Sequence, residues 1–324
     1  MNQQNLKFLL IAAPQAAASP ALKHAIRLAD AMNASLQIVS FVHSERVDIV
    51  GSVDHNARDK ARDSLMNVHR QWLRSETSAL RHKGVKVEID IVWERASAQS
   101  MATYIDRRKV DLVIKDLHEE STLKRLVLSS LDWDVLRASS TSILFVKDIP
   151  DRKPLKFLAA VEFGHPCAAD TAQRNRIINT ARSISGPCNA AFHLISVYDR
   201  SELDGSVLSE ALGIDEVPTF DARKLLFDEC AEIHEVAREH RHFIVGHPAH
   251  AIRDYIERCG FDLLVLGTVA KDAPRQAIGH TAKCILGDPP CSVLVLKPFA
   301  MTGNLHVSTL RGIEVGGYTS TTYA

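Results

Sequence analysis

Apolar positions along the chain come in short runs without alternation, and between the runs they recur every three or four residues. Phe8 to Ala13 is the first run. The stripe Leu22, Ala25, Ile26, Ala29 and Met32 follows it with the period of a one-faced helix, which Ser19 can cap and Pro20 can begin. Leu36 to Val42 reads as a second strand, and a long middle helix over Asn56 to His82 leads to a third strand at Val85 to Val92. A helix near Gln99 to Arg108, a strand from Asp111 to Ile114, a helix near Leu131 to Ala138 and a last strand from Ile143 to Val146 complete the series.

That series is written twice. Leu6-Lys7-Phe8-Leu9 recurs as Leu155-Lys156-Phe157-Leu158, and Tyr104-Ile105-Asp106-Arg107 as Tyr255-Ile256-Glu257-Arg258, each of the latter pair just upstream of a matching apolar run. Ser142 to Lys147 pairs likewise with Ser292 to Lys297. The offset between copies drifts by only a few residues, so a domain of about 150 residues has been duplicated. The second copy predicts strands near Phe157 to Glu162, Ala191 to Val197, Phe243 to Val245, Leu263 to Leu266 and Val293 to Leu296. Strands rich in Val, Ile and Leu, separated by helices, form a parallel sheet covered on both faces. The predicted fold is α/β: two tandem doubly wound domains, 1–148 and 155–300, each with a five-stranded parallel sheet. Asp148 to Pro154, charged and twice marked by proline, is the joint, and 301–324, rich in Gly, Ser and Thr, is a tail.

Charge and cysteine narrow the partners. Lys plus Arg equals Asp plus Glu at 39 each, so no sequence-wide field draws the chain to nucleic acid or anionic lipid, and neither is an expected partner. The six cysteines form no CxxC pair and none lies in the first half, which points to reduced thiols in a cytoplasm. Lys7, the run after it and Ala17-Ala18-Ser19 imitate a leader peptide. The internal counterpart of that run makes it a strand instead. No apolar run approaches the roughly 18 residues that cross a bilayer, so a soluble protein is expected.

In an open doubly wound sheet, ligands bind beyond the carboxyl ends of the strands, where strand order reverses. The second copy places Glu162-Phe163-Gly164-His165, Val197-Tyr198-Asp199, Gly246-His247-Pro248 and the stretch from Val265 to Ala282 there. Gly267 and Gly279 permit positive φ or close approach of backbone to a ligand, and the helix after them offers free N–H groups to an anion. A phosphate-contacting loop is one reading; ordinary turn chemistry is the other. No GxSxG elbow, GxxxxGK[ST] loop or GxGxxG after the first strand occurs, so no catalytic residue is assigned and no enzyme is expected. His247 and His250, with His165 and Cys167, have zinc-ligand chemistry. Such spacing is common by chance among 15 histidines, and no metal site is expected.

The stretch Gly267-Thr268-Val269, with Ile278-Gly279-His280-Thr281-Ala282, resembles the signature of the universal stress protein family: Gly, two residues, Gly, nine residues, then Gly with Ser, Thr or Asn, wrapping the ribose and triphosphate of ATP. Cys291 to Pro298, and in the first half Leu131 to Arg137 with Phe145 to Asp148, extend the likeness. Apart from its tail, the whole chain is similar to the tandem-domain, E-type members. The resemblance implies a stress-response protein with an ATP site in the second domain. Glu162 stands there for the family's Asp on the adenine side, beside the Val197 backbone, Gly267, Ala270, Gly279, His280 and Thr281. It also implies pairing of the two domains through their last strands, with a homodimer as a further state.

The departures weaken that site. Ala270 replaces the second glycine, and an L-residue in a left-handed conformation costs about 1–2 kcal/mol. Eight residues separate Ala270 from Gly279, and His280 replaces the small hydroxyl or amide. Each lost charged hydrogen bond is worth roughly 1.5–3 kcal/mol, about ten- to a hundredfold in affinity. The first domain has no glycine from Lys115 to Ser130, adds Asp116, Glu119 and Glu120 there, and has Ala13 at the place of Glu162, so no phosphate site is expected in it. Two other readings stay open: an adenylating or ATP-hydrolysing enzyme of the wider adenine-nucleotide α-hydrolase-like group, or a sensor of a lipid-like ligand held in an apolar cavity of the first domain.

Overall fold

The structure, a computed structural model, describes residues 6–13, 17–51, 53–120, 125–147, 154–163, 168–199, 219–268 and 278–297. Strand β1 (Lys7–Ala12) leads to helix α1 (Pro20–Met32), where the Ser19 hydroxyl accepts from Leu22 N–H and Asn33 closes the helix in a left-handed conformation. After β2 (Ser35–Val42) and a short α2 (Glu45–Gly51), the helix expected over 56–82 is two, α3 (His55–Glu76) and α4 (Ser78–His82). The break falls at Thr77, whose buried hydroxyl donates to the Leu73 carbonyl at 2.7 Å and competes with the helical ladder. Then come β3 (Val87–Trp93), α5 (Ala98–Arg108), β4 (Leu112–Asp116), a hairpin of β5 (His118–Glu120) and β6 (Arg125–Val127), α6 (Ser130–Ala138) and β7 (Ile143–Val146). The hairpin lies between Lys115 and Ser130, where the sequence pattern predicts no strand beyond the end of β4.

The second half runs β8 (Leu155–Ala160), α7 (Ala168–Ser185), β9 (Ala190–Tyr198), α8 (Phe220–Ile233), β10 (Arg241–Val245), α9 (Pro248–Cys259), β11 (Leu263–Gly267), α10 (His280–Gly287) and β12 (Ser292–Leu296). One ten-stranded sheet contains both halves, in the order β10-β9-β8-β11-β12-β7-β4-β1-β2-β3. Each half is therefore a parallel five-stranded unit, and the order reverses beside its first strand. The joint between halves is antiparallel, with Val293 opposite Phe145, Leu294 opposite Leu144 and Val295 opposite Ile143.

Every residue of β7 and β12 is buried, as the centre of a sheet covered on both faces requires. One apolar core joins the sheet to α1, α3, α7 and α8; the other joins it to α5, α6, α9 and α10. Two equivalent lysines pin the joint. Lys147 Nζ donates to the Pro289 and Pro290 carbonyls at 3.3 and 3.2 Å, and Lys297 Nζ donates to the Leu136 carbonyl. Burial pulls the Lys297 pKa down to about 8. Ser292 and Ser142 hydroxyls meanwhile take the backbone N–H of Lys147 and Lys297.

Candidate functional site

The switch point of the second half lies between β8 and β11, whose carboxyl ends share one edge of the sheet. Glu162 follows β8 by two residues and is exposed. Its carbonyl accepts from Arg174 Nε at 3.2 Å, while the Arg174 guanidinium lies 4.2 Å above the buried Phe163 ring. That clamp fixes the chain direction where β8 ends. On β9, the Ile195 carbonyl accepts from Val161 N–H and the Tyr198 carbonyl from Gly246 N–H, each at 3.0 Å. Residues two apart on a strand face the same neighbour, so Val197 turns its N–H and C=O toward the space past the end of β8.

Gly267 ends β11, and Thr268 beyond it is buried with its N–H on the Leu296 carbonyl at 3.0 Å. The lack of a side chain at Gly267 has a local use. A Cβ there would run into Gln173 Nε2 and stand 3.0 Å from Ile177 Cδ1. Ala270, with Gly164, His165 and Cys167, lies outside the described residues.

Ile278 is buried and anchors the return of the chain to Gly279, the N-cap of α10. Gly279 has φ −58° and ψ 157° and brings no capping side chain, so α10 opens with backbone N–H groups of His280, Thr281 and Ala282 that no cap residue covers. His280 is exposed at the first helical position and Thr281 is half-buried behind it. Cys284, one turn on, holds its sulfur 3.7 Å from His280 Nε2, and the His247 ring at the N-cap of α9 lies 5.9 Å from the His280 ring. His250 is 5.1 Å from His247, ring to ring. Among the described residues, no group of three or more His, Cys, Asp or Glu side chains could hold a metal ion.

The equivalent corner of the first half is filled from within the chain. Helix α6 opens with a capping box: Asp132 Oδ2 accepts from Ser129 N–H at 2.8 Å and from its hydroxyl at 2.7 Å, and Ser129 Oγ accepts from Asp132 N–H. The other oxygen of this fully buried carboxylate is 2.7 Å from Lys115 Nζ, an ion pair rather than a well-aligned hydrogen bond. Asp116 occupies the position that Gly267 has in the second half, and its Oδ1 accepts from Ala21 N–H in the first turn of α1 at 2.7 Å. An internal carboxylate thus sits at the strand tip. A separate cavity of about 240 Å³ in this half is lined by Gln37, Glu88, Asp90, Tyr104 and Arg108 with Ile38 and Ile89, and touches none of the site residues named above.

Two doubly wound domains in tandem, sharing one sheet through their last strands and differing in what fills each switch-point corner, define a class of paired α/β proteins. A sequence model of the universal stress protein family matches residues 7–147 and 168–297, and the chain belongs to that stress-response family. Universal stress protein E of Salmonella typhi is 22% identical over 301 residues, covering 90% of this chain and 93% of its own. The protein of that name from Photorhabdus laumondii is 20% identical over 312 residues, 92% and 96% of the two chains. Among solved structures, a functionally unknown protein of Pseudomonas aeruginosa PAO1 has a TM-score of 0.68 at 24% identity, covering 91% of this chain and 94% of that one. A universal stress protein of Archaeoglobus fulgidus has 0.56 at 17%, over 91% and 99%. These likenesses show the fold.

Proposed function

We infer that the chain is a cytoplasmic, non-enzymatic stress-response protein that binds an adenine nucleotide weakly in its second half. Glu162 and the Val197 backbone face the base side; Gly267, Ala270, Gly279, His280 and Thr281 carry the ribose and phosphates. One observation carries this reading: α10 opens with an uncapped N-terminus beside the switch point, whereas α6 has its own carboxylate in that place. Backbone N–H groups and the helix dipole favour an anion at such an end. The first half serves as a partner domain. The cavity lined by Glu88, Asp90 and Arg108 has a polar, charged wall.

Gly279→Asp tests the reading, because aspartate is a favoured N-cap at negative φ and would set an internal carboxylate against the first turn of α10. Calorimetric titration with ATP should give saturable binding for the wild type. The variant should lose at least about tenfold in affinity, the worth of one charged hydrogen bond, while its thermal midpoint holds or rises. Equal affinities would place the ligand elsewhere.

A further inference from the structure

Gln173 lies one turn before Ile177 on the buried stripe of α7, with Ala181 and Ile184 continuing the stripe. A polar side chain there needs partners. Its amide sits in the space that Gly267 leaves empty at the tip of β11, yet Nε2 is buried with no hydrogen-bond partner among the described residues. Leaving a donor buried and unmade is destabilising, and native structures seldom tolerate it without use. Its neighbours on the same helix are engaged: Arg174 holds the Glu162 carbonyl and Arg176 the Lys297 carbonyl, both at the carboxyl ends of strands. Of these three side chains, Gln173 alone has a buried donor beside Gly267 for which the described residues provide no acceptor.

We propose that Gln173 is a specificity-determining residue of that site, its Nε2 donating to an oxygen of the bound nucleotide, either a ribose hydroxyl or a phosphate oxygen. The proposal rests on the nucleotide reading above and adds to it a contact from outside the glycine loop. It also gives Gly267 a second use. The glycine seats the amide at the strand tip, so Gly267→Ala would swing a flexible side-chain end aside and leave the strand intact.

The test is a double-mutant cycle in the full chain with two readouts, the thermal midpoint without ligand and the affinity for ATP and for adenosine. Gln173→Leu removes an unpaired buried donor, so the ligand-free midpoint should rise by a few degrees while ATP affinity falls by about tenfold. A merely structural role predicts the reverse on stability and no change in affinity. Gly267→Ala should weaken ATP by a similar factor, and the double variant should be no weaker than Gln173→Leu alone. Gln173→Met, unbranched and of similar length, repeats the measurement if leucine disturbs α7. A loss seen with adenosine as well assigns the contact to the ribose; a loss confined to ATP assigns it to phosphate. Additive losses, or a Gln173→Leu protein that binds ATP as tightly as a wild type that does bind, overturn this inference alone. A wild type that binds neither compound overturns the nucleotide reading, and the role of Gln173 falls with it.

Discussion

His193 on β9 and His242 on β10 are hydrogen-bonded ring to ring, Nδ1 to Nε2 at 3.0 Å, and the Tyr255 hydroxyl reaches His242 Nδ1 at 2.9 Å. The His240 ring lies 4.1 Å from that of His193, and Phe261 packs edge-on against it. Burial first, then the neighbouring His240, His242 and Lys156, push the His193 pKa down to about 4; burial and His240 do the same for His242. A histidine depressed in the fold is neutral there and takes up its proton more readily when unfolded. Stability is therefore full above the unfolded pKa of about 6.5 and falls as pH drops toward 4. The rings are only half-buried, so the loss is on the order of 1 kcal/mol for each. Strand registers place Gln37 and Asp90 at the corresponding positions of the first half, where Asp90 is bonded to Tyr104 and Arg108 at 3.0 and 2.7 Å. Thermal midpoints from pH 7 to 4 should accordingly fall less in a His193→Gln/His242→Asn protein than in the wild type. Parallel curves would contradict the assignment.

At the scale of elements, α6 and α10 are equivalent helices that differ in how they begin. In α6 the Ser129 hydroxyl caps the Asp132 N–H, the Asp132 carboxylate takes the Ser129 N–H in return, and Lys115 pairs with that buried carboxylate. Removing one member of a buried pair leaves the other uncompensated, which typically costs about 3 kcal/mol or more, and the cap is lost as well. Asp132→Ala should lower the urea midpoint accordingly, and Asp132→Asn by less because one capping acceptor remains. A loss under about 1 kcal/mol for the alanine variant would mean that the capping box stabilises little. Ala282, at the position equivalent to Asp132 in α10, carries no such group, and the first turn of α10 has no side-chain cap.

Across the whole molecule, the repeat of Leu6 to Leu9 at Leu155 to Leu158, with unalternated apolar runs, was enough to read two parallel α/β units, because strands buried on both faces leave that mark in sequence. Boundaries such as Thr77 were not legible, since a hydroxyl bonded to its own backbone looks like any surface threonine until its burial is known. Glycines marked the candidate site, but the local packing at Gly267 depends on Gln173, 94 positions earlier in the chain, and only the packing of α7 on β11 brings them together. A glutamine on an otherwise apolar stripe was the available clue. Of the two equivalent helix ends, the α10 N-terminus is the one proposed to accept the ligand. Backbone amide resonances followed during an ATP titration test this most directly: His280, Thr281 and Ala282 should shift and saturate together, while Ser130, Leu131 and Asp132 stay in place. Shifts of equal size at both helix ends, or binding that leaves His280 to Ala282 unmoved, would contradict it.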